Sequence, residues 1–160
     1  MFKVGDKIFY PMHGGGVIKT IEEKEIFGNT QLYYVVNILH RNMQVMIPVD
    51  KTERLGVRPV VDSEKLDNVL TTFYDGETDV MANDSQRQRR NLNKIKSGDI
   101  YEGAEVIRDL MRINHKRKLG TTEKNMLDNA RQILISEVEL VKGISQEQAA
   151  CLLDEAIKIQ

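Results

Sequence analysis

The sequence predicts an α+β chain: a small antiparallel β-barrel of the SH3 or Tudor-like kind, followed by an all-α bundle of about five helices. Two patterns carry this expectation. The first sixty residues alternate β-branched and aromatic side chains between Gly, Pro and Asn breaks, and after Val61 apolar residues recur at helical spacing. Composition agrees with it. The chain has 160 residues, 41% hydrophobic and 29% charged, which is ordinary globular usage and leaves room for two compact modules, expected at 1–60 and 61–160.

Four strands are predicted: Lys3 to Tyr10, Gly16 to Ile26, Gln31 to Leu39 and Met43 to Val49. The third shows the pattern best, as Gln31-Leu32-Tyr33-Tyr34-Val35-Val36-Asn37-Ile38, because branched and aromatic side chains suit a pleated, half-buried surface. Gly28-Asn29 and Arg41-Asn42 supply turn chemistry for two hairpins, since both residue types tolerate positive φ. His13-Gly14-Gly15-Gly16 reads as a glycine-rich turn between the first two strands.

The helical part opens with Ser63 to Tyr74, followed by a loop over Asp75 to Asn83. Three later starts carry capping boxes, Ser85 with Gln88, Asp99 with Glu102 and Ser145 with Gln148, in which cap and third residue bond back to each other's backbone. Gly98, Gly120 and Gly143 stand where left-handed glycine would end helices. Val106, Leu110 and Ile113, then Met126, Ile133, Leu134 and Val138, form the core stripes. Cys151, in AACLLDEA, is expected to be buried.

Several functions are disfavoured at this level. With one cysteine the chain has neither an intrachain disulfide nor a cysteine-based zinc cluster, and His13, His40 and His115 lack paired zinc spacing, so no metal or cofactor is expected. No apolar run approaches the ~20 residues of a membrane span, and MFKVGDKIFYP lacks the features of a secretory leader, so the cytoplasm is the expected location. His13-Gly14-Gly15-Gly16 matches an oxyanion-hole motif of lipases, but no G-x-S-x-G elbow faces it. The glycine run also lacks the Lys-Ser or Lys-Thr of a phosphate loop, and no pair of acids is singled out for acid–base work. An enzyme is not expected.

The net charge of −1 conceals an asymmetry: residues 84–118 carry ten Lys or Arg against five Asp or Glu. Within them, Asp84 to Lys96 reads as a basic amphipathic helix. Leu92 and Ile95 would face the core, Arg87, Arg90 and Lys94 would share one face, Arg89 would lie at its edge, and Ser85 as N-cap would aim N–H groups outward. Such a face suits phosphates, and a solvated surface helix is the plainer alternative.

The chain resembles, end to end, the CarD/CdnL regulators of bacterial transcription. The resemblance rests on Phe2-Lys3-Val4-Gly5-Asp6, Tyr10-Pro11, His13-Gly14, Pro48, Gly56-Val57-Arg58, Asn91-Leu92, Lys94, Ser97-Gly98-Asp99, Glu105-Val106, Arg108-Asp109-Leu110, Glu123-Lys124 and Ala130-Arg131-Gln132-Ile133-Leu134. It implies a Tudor-like module, similar to that of the transcription-repair coupling factor, which grips the RNA polymerase β subunit at its protrusion or lobe through a strand edge. It also implies a helical domain touching promoter DNA at the upstream edge of the bubble, stabilising the open complex.

By this resemblance Lys24 takes a position that is often arginine in relatives and Met46 one that is arginine in some of them, and the strand segment Val45-Met46-Ile47 meets polymerase. Arg87, Arg89 and Lys124 match DNA-facing positions, with Arg90 and Lys94 as supporting phosphate contacts. Asp84 stands where many relatives place a tryptophan that wedges into the minor groove. The chain has no tryptophan, so either weaker promoter opening than in wedge-bearing relatives or a role resting mainly on polymerase binding is expected, with Asp84 capping or preceding the cap of the basic helix instead. Two alternatives remain at this level: an RNA- or ribosome-associated small-barrel module, which would need stacking aromatics on the barrel, and a small hydrolase. A monomer is expected, with a dimer through the barrel edge as the alternative.

Overall fold

The computed structural model describes residues 1–73, 76 and 83–158. The fold is α+β. Strands β1 (Lys7–Tyr10), β2 (Gly14–Ile26), β3 (Asn29–Ile38), β4 (Met43–Pro48) and β5 (Arg58–Pro59) form one antiparallel sheet in the order β4-β3-β2-β1-β5. A single 3-10 turn, Val49–Lys51, follows β4. Helices α1 (Ser63–Thr71), α2 (Asp84–Lys96), α3 (Ile100–Lys116), α4 (Thr121–Lys142) and α5 (Gln146–Lys158) complete the chain.

The strand expectations hold with local differences. β1 begins four residues late because Asp6 turns the chain back: its carboxylate accepts from Lys3 N at 2.8 Å, and Gly5 takes φ 92°. Ile26 pairs with Asn29, so the first hairpin turns on Phe27 and Gly28, both at positive φ. The β1–β2 turn is Pro11–His13, with Met12 at φ 73°, and the glycine run expected there lies within β2. The short β5 had no signature in alternation.

Two clusters of buried side chains divide the interior. Ile8, Ile18, Tyr34, Val36, Ile38, Ile47 and Val57 form one of them, built on the strands. The second cluster joins all five helices and includes Phe9. Since successive strand residues point to opposite faces, β1 serves both, with Ile8 in one and Phe9 in the other. Each such side chain, fully buried, contributes about 1.5–3 kcal/mol.

Helix α4 is the central element of the second cluster, packing against β2, α3 and α5. Gly14 and Gly15 allow the close approach to β2: a Cβ on Gly15 would lie 2.8 Å from Leu140 Cδ1 and 3.0 Å from the Ser136 carbonyl oxygen. Gly15 N donates to Ser136 Oγ at 2.8 Å.

Helix caps follow the sequence in part. Asp99 Oδ1 accepts from Tyr101 N and Glu102 N, and Ser145 and Gln148 form the reciprocal box at 3.1 Å in both directions. Gly98 and Gly143 end helices in the left-handed region. Ser85 is not a cap: Asn83 takes that role, its Oδ1 accepting from Gln86 N at 2.9 Å, so Asp84 is the first helical residue. Gly120, at φ −69°, begins α4 rather than ending α3. Cys151 is exposed, because the buried face of α5 runs Ala149, Leu153, Ile157, and position 151 lies about 200° round from 149. Apart from Gly76 and Asn83, the loop expected over Asp75 to Asn83 lies outside the described residues, as does Tyr74.

Candidate functional site

Among the described residues the outer edge of β4 pairs with no strand, and neither does the side of β2 away from β3 beyond its short pairing with β1. Register fixes which side chains accompany the β4 edge. Tyr34 pairs with Ile47 on the core face, so their neighbours Tyr33, Val35 and Met46 point the other way. Lys24, opposite Gln31, falls on that outer face with Glu22, which pairs with Tyr33. Lys24 and Met46 therefore share a surface, with Tyr33 between their strands. Lys24 Nζ lies 3.5 Å from Glu22 Oε2, a pair about half exposed on both sides.

Val45 and Ile47 meet the edge differently. Ile47 lies inside the sheet's core and Val45 packs against it, so both offer an incoming chain their backbone and not their side chains. Beyond Pro48, which pairs with Tyr33, the β2–β3 hairpin extends past β4 and carries exposed Ile26, Phe27 and Leu32. Tyr34 is buried in the core, its Oη accepting from Phe2 N, so the adjacent Tyr33-Tyr34 pair does not form a stacking platform.

The second surface is built on α2. Asn91 and Ile95, four apart, are its buried residues, with Leu92 half-buried beside them. The basic side chains then separate into two groups. Arg87 is held: its Nε donates to Glu123 Oε2 at 2.9 Å, and Nη2 donates to Glu123 Oε1 at 3.1 Å and to Asp84 Oδ1 at 2.7 Å. Glu123 is only 3% exposed and also pairs with Arg117 at 3.3 Å. The hydrogen bond to Glu123 outweighs burial and, with Asp84, raises the Arg87 pKa above its ordinary value. Lys94 is similarly held by Glu105 at 3.2 Å.

Arg89 and Lys124, by contrast, are exposed, and Arg90 is half-buried. Arg89, Arg90 and Lys94 line an open groove along α2 that ends at Ser97. Lys124 follows Glu123 in the first turn of α4, and the Arg87–Glu123 pair ties the N-terminal turns of α2 and α4 together. Asp84 is two-thirds exposed at the start of α2, and Arg117 lies 3.6 Å from it. Charge counting along the chain found the cations of α2 and Arg117, and Lys124 came only with the family resemblance; Glu123 and Glu105 come from other helices and gave no local signal.

His13 and His40, separate in sequence, both feel Arg41; burial first, then that arginine, lowers their pKa values and favours neutral imidazole. No group of His, Cys, Asp and Glu among the described residues is arranged to hold a metal ion. His13 packs on the Tyr10 ring at 4.5 Å, and beside it Gly14 and Gly15 are covered by α4 and Gly16 by β3. No helix among the described residues is long and apolar enough to cross a membrane.

Comparison with known families finds two matches that between them span both halves of the chain. Residues 2–61 match the family described as the CarD-like/TRCF RID domain, and residues 68–154 match the CarD C-terminal domain. A protein of Bacillus subtilis (strain 168) named "Putative transcription factor YdeB" is 49% identical over 148 residues, covering 92% of this chain and 97% of that protein.

Proposed function

The chain belongs to the CarD family of transcription regulators, and on that basis we propose that it tethers itself to the RNA polymerase β subunit through β4 and holds α2 against promoter DNA at the upstream edge of the bubble. The observation that carries the reading is the open edge of β4, with Lys24 and Met46 on one adjoining face. An incoming strand can add to such an edge by main-chain hydrogen bonds, while the outer-face side chains set its specificity. The backbone of Val45, Met46 and Ile47 supplies the pairing; Lys24 supplies the charge. Lysine keeps the charge of the arginine found in relatives but not its two-pronged geometry, and methionine keeps neither, so this interface is less electrostatic.

On the helical side, Arg89 and Lys124 reach phosphates directly, with Arg90 and Lys94 lining the groove between them and the end of α2. Arg87 contributes mainly by holding Glu123 and thereby the neighbourhood of Lys124. Neither role requires catalysis. A protein that binds melted promoter better than closed promoter shifts the equilibrium by the difference in affinity, and about 1.4 kcal/mol gives a tenfold shift.

The test is binding of the whole protein to a polymerase β-lobe fragment, for the wild type and for Lys24→Glu. Saturable binding that the variant weakens supports the tether. If the wild type does not bind at concentrations that saturate a relative, the tether is wrong and a nucleic-acid role of the sheet alone becomes the better reading.

A further inference from the structure

A bridging factor needs a fixed angle between its two contact surfaces, and a single side chain joins the elements that set that angle here. Arg58, in β5, points away from the sheet into the helices. Its Nη1 and Nη2 donate to Glu137 Oε2 at 2.8 Å and Oε1 at 2.9 Å, and its Nε donates to the carbonyl of Gly98 at 3.0 Å. The guanidinium lies 4.3 Å from the centre of the Phe9 ring. Glu137, in α4, is fully buried, and its Oε2 also accepts from Val61 N, in the segment joining β5 to α1. Gly98 is the left-handed residue just beyond α2.

Arg58 thus links the sheet, the long helix α4 and the end of the basic helix α2. Lys7 Nζ donates to the Leu140 carbonyl at 2.9 Å and Gly15 N to Ser136 Oγ at 2.8 Å, which ties the sheet to α4 but not to α2; the sheet's other contacts at Gly98 are apolar. Phe9 inserts among the helices, and Pro11 packs against Gly98 closely enough that a Cβ there would come within 2.7 Å of Pro11 Cγ. Apolar contacts of this sort resist separation but are non-directional. A guanidinium forked onto a carboxylate has a fixed plane and two parallel bonds, so it resists rotation as well.

We propose that Arg58 is a positioning residue: clamped by Glu137 and bonded to the carbonyl of Gly98, it fixes the orientation of α2 relative to the sheet, and so the direction in which a polymerase-tethered molecule presents its basic face to DNA. The inference rests on the bridging reading for its functional consequence, but not for its mechanical one.

The experiment uses the full-length protein with Cys151→Ser, carrying spin labels at Gln44→Cys on β4 and Lys96→Cys on α2, and measures the distance distribution between them. Arg58→Lys keeps the charge and loses the fork; Glu137→Gln keeps the shape and loses the charge, and serves if the first variant does not fold. The expected result is a narrow peak in the parent that broadens in either variant. Lobe binding by the variant is expected to be unchanged, with most of the lengthening of open-complex lifetime lost. A variant that melts earlier but keeps the parent's narrow peak overturns the proposal, as does a broadened peak with the full effect on lifetime. If the parent neither binds the lobe nor lengthens lifetime, the bridging reading fails, and the distance distribution still judges the mechanical role of Arg58.

Discussion

Arg87 and Arg89 stand two positions apart on α2, and the difference between them is set by Glu123. The buried carboxylate of Glu123 needs a partner, and Arg87, 14% exposed, provides two of its hydrogen bonds. Removing one member of a buried pair costs roughly 3–5 kcal/mol because the other charge is left without compensation. Arg117 also contacts Glu123, so Arg87→Met is expected to cost somewhat less, about 2–3 kcal/mol. Arg89→Met should change stability by no more than about 0.5 kcal/mol, as exposed substitutions usually do. Binding to promoter DNA should show a different contrast. Arg89→Met is expected to weaken it and to reduce the slope of log K against log salt by about one. Urea denaturation and a salt titration of DNA binding check the pair of outcomes. Equal stability of the two variants would show that Arg87 is not structural, and an unchanged salt slope in Arg89→Met would remove that residue from the phosphate contacts.

Among elements, the junction of β2 with α4 has the most local sequence dependence. Gly15 leaves no space for a side chain, and Gly15→Ala must push α4 back or move Leu140, a cost typical of overpacking, about 1–3 kcal/mol. Gly103, in α3, has no neighbour within 4 Å of a Cβ, so Gly103→Ala should stabilise by about 0.5–1 kcal/mol through helix propensity. Thermal denaturation of the two variants gives the comparison, and a Gly15→Ala protein as stable as the wild type would mean that α4 does not rest on the glycines. The same junction marks the limit of what could be read from sequence. Strands β2, β3 and β4 were legible because alternation and turn residues are local, and the stripes of α3 and α4 because helical periodicity is local. The glycine run was read as a turn because the helix that requires it lies 121 residues away, at Ser136. Cys151 was misplaced by its apolar neighbours when only the spacing of Ala149, Leu153 and Ile157 decides the buried face. The cations of α2 were legible, but their division into held and exposed was not, since Glu105 and Glu123 belong to α3 and α4.

For the whole molecule, the proposed effect on the polymerase depends on what stands at the start of α2 once the sheet is tethered. Asp84 is there, 66% exposed, with its carboxylate 2.7 Å from Arg87 and 3.6 Å from Arg117. It stabilises the positive end of the helix, as an acid in the first turn does, but it opposes approach to a phosphate and cannot fill the space between unstacked bases. Two variants separate these effects. Asp84→Ala removes the charge together with its contacts to Arg87 and Arg117 and adds no wedge, so it should tighten DNA binding at low salt and lose that gain as salt rises. Asp84→Trp adds the apolar wedge as well, and should lengthen the lifetime of open complexes beyond the alanine variant, with a gain that persists at higher salt because it does not depend on ions. The decay of open complexes after challenge with a competitor, followed at two salt concentrations with lobe binding checked in parallel, reads both effects. If Asp84→Trp folds, binds the lobe and gives the lifetime of Asp84→Ala, then a wedge at this position does not limit promoter opening, and the factor acts through its tether and its phosphate contacts alone.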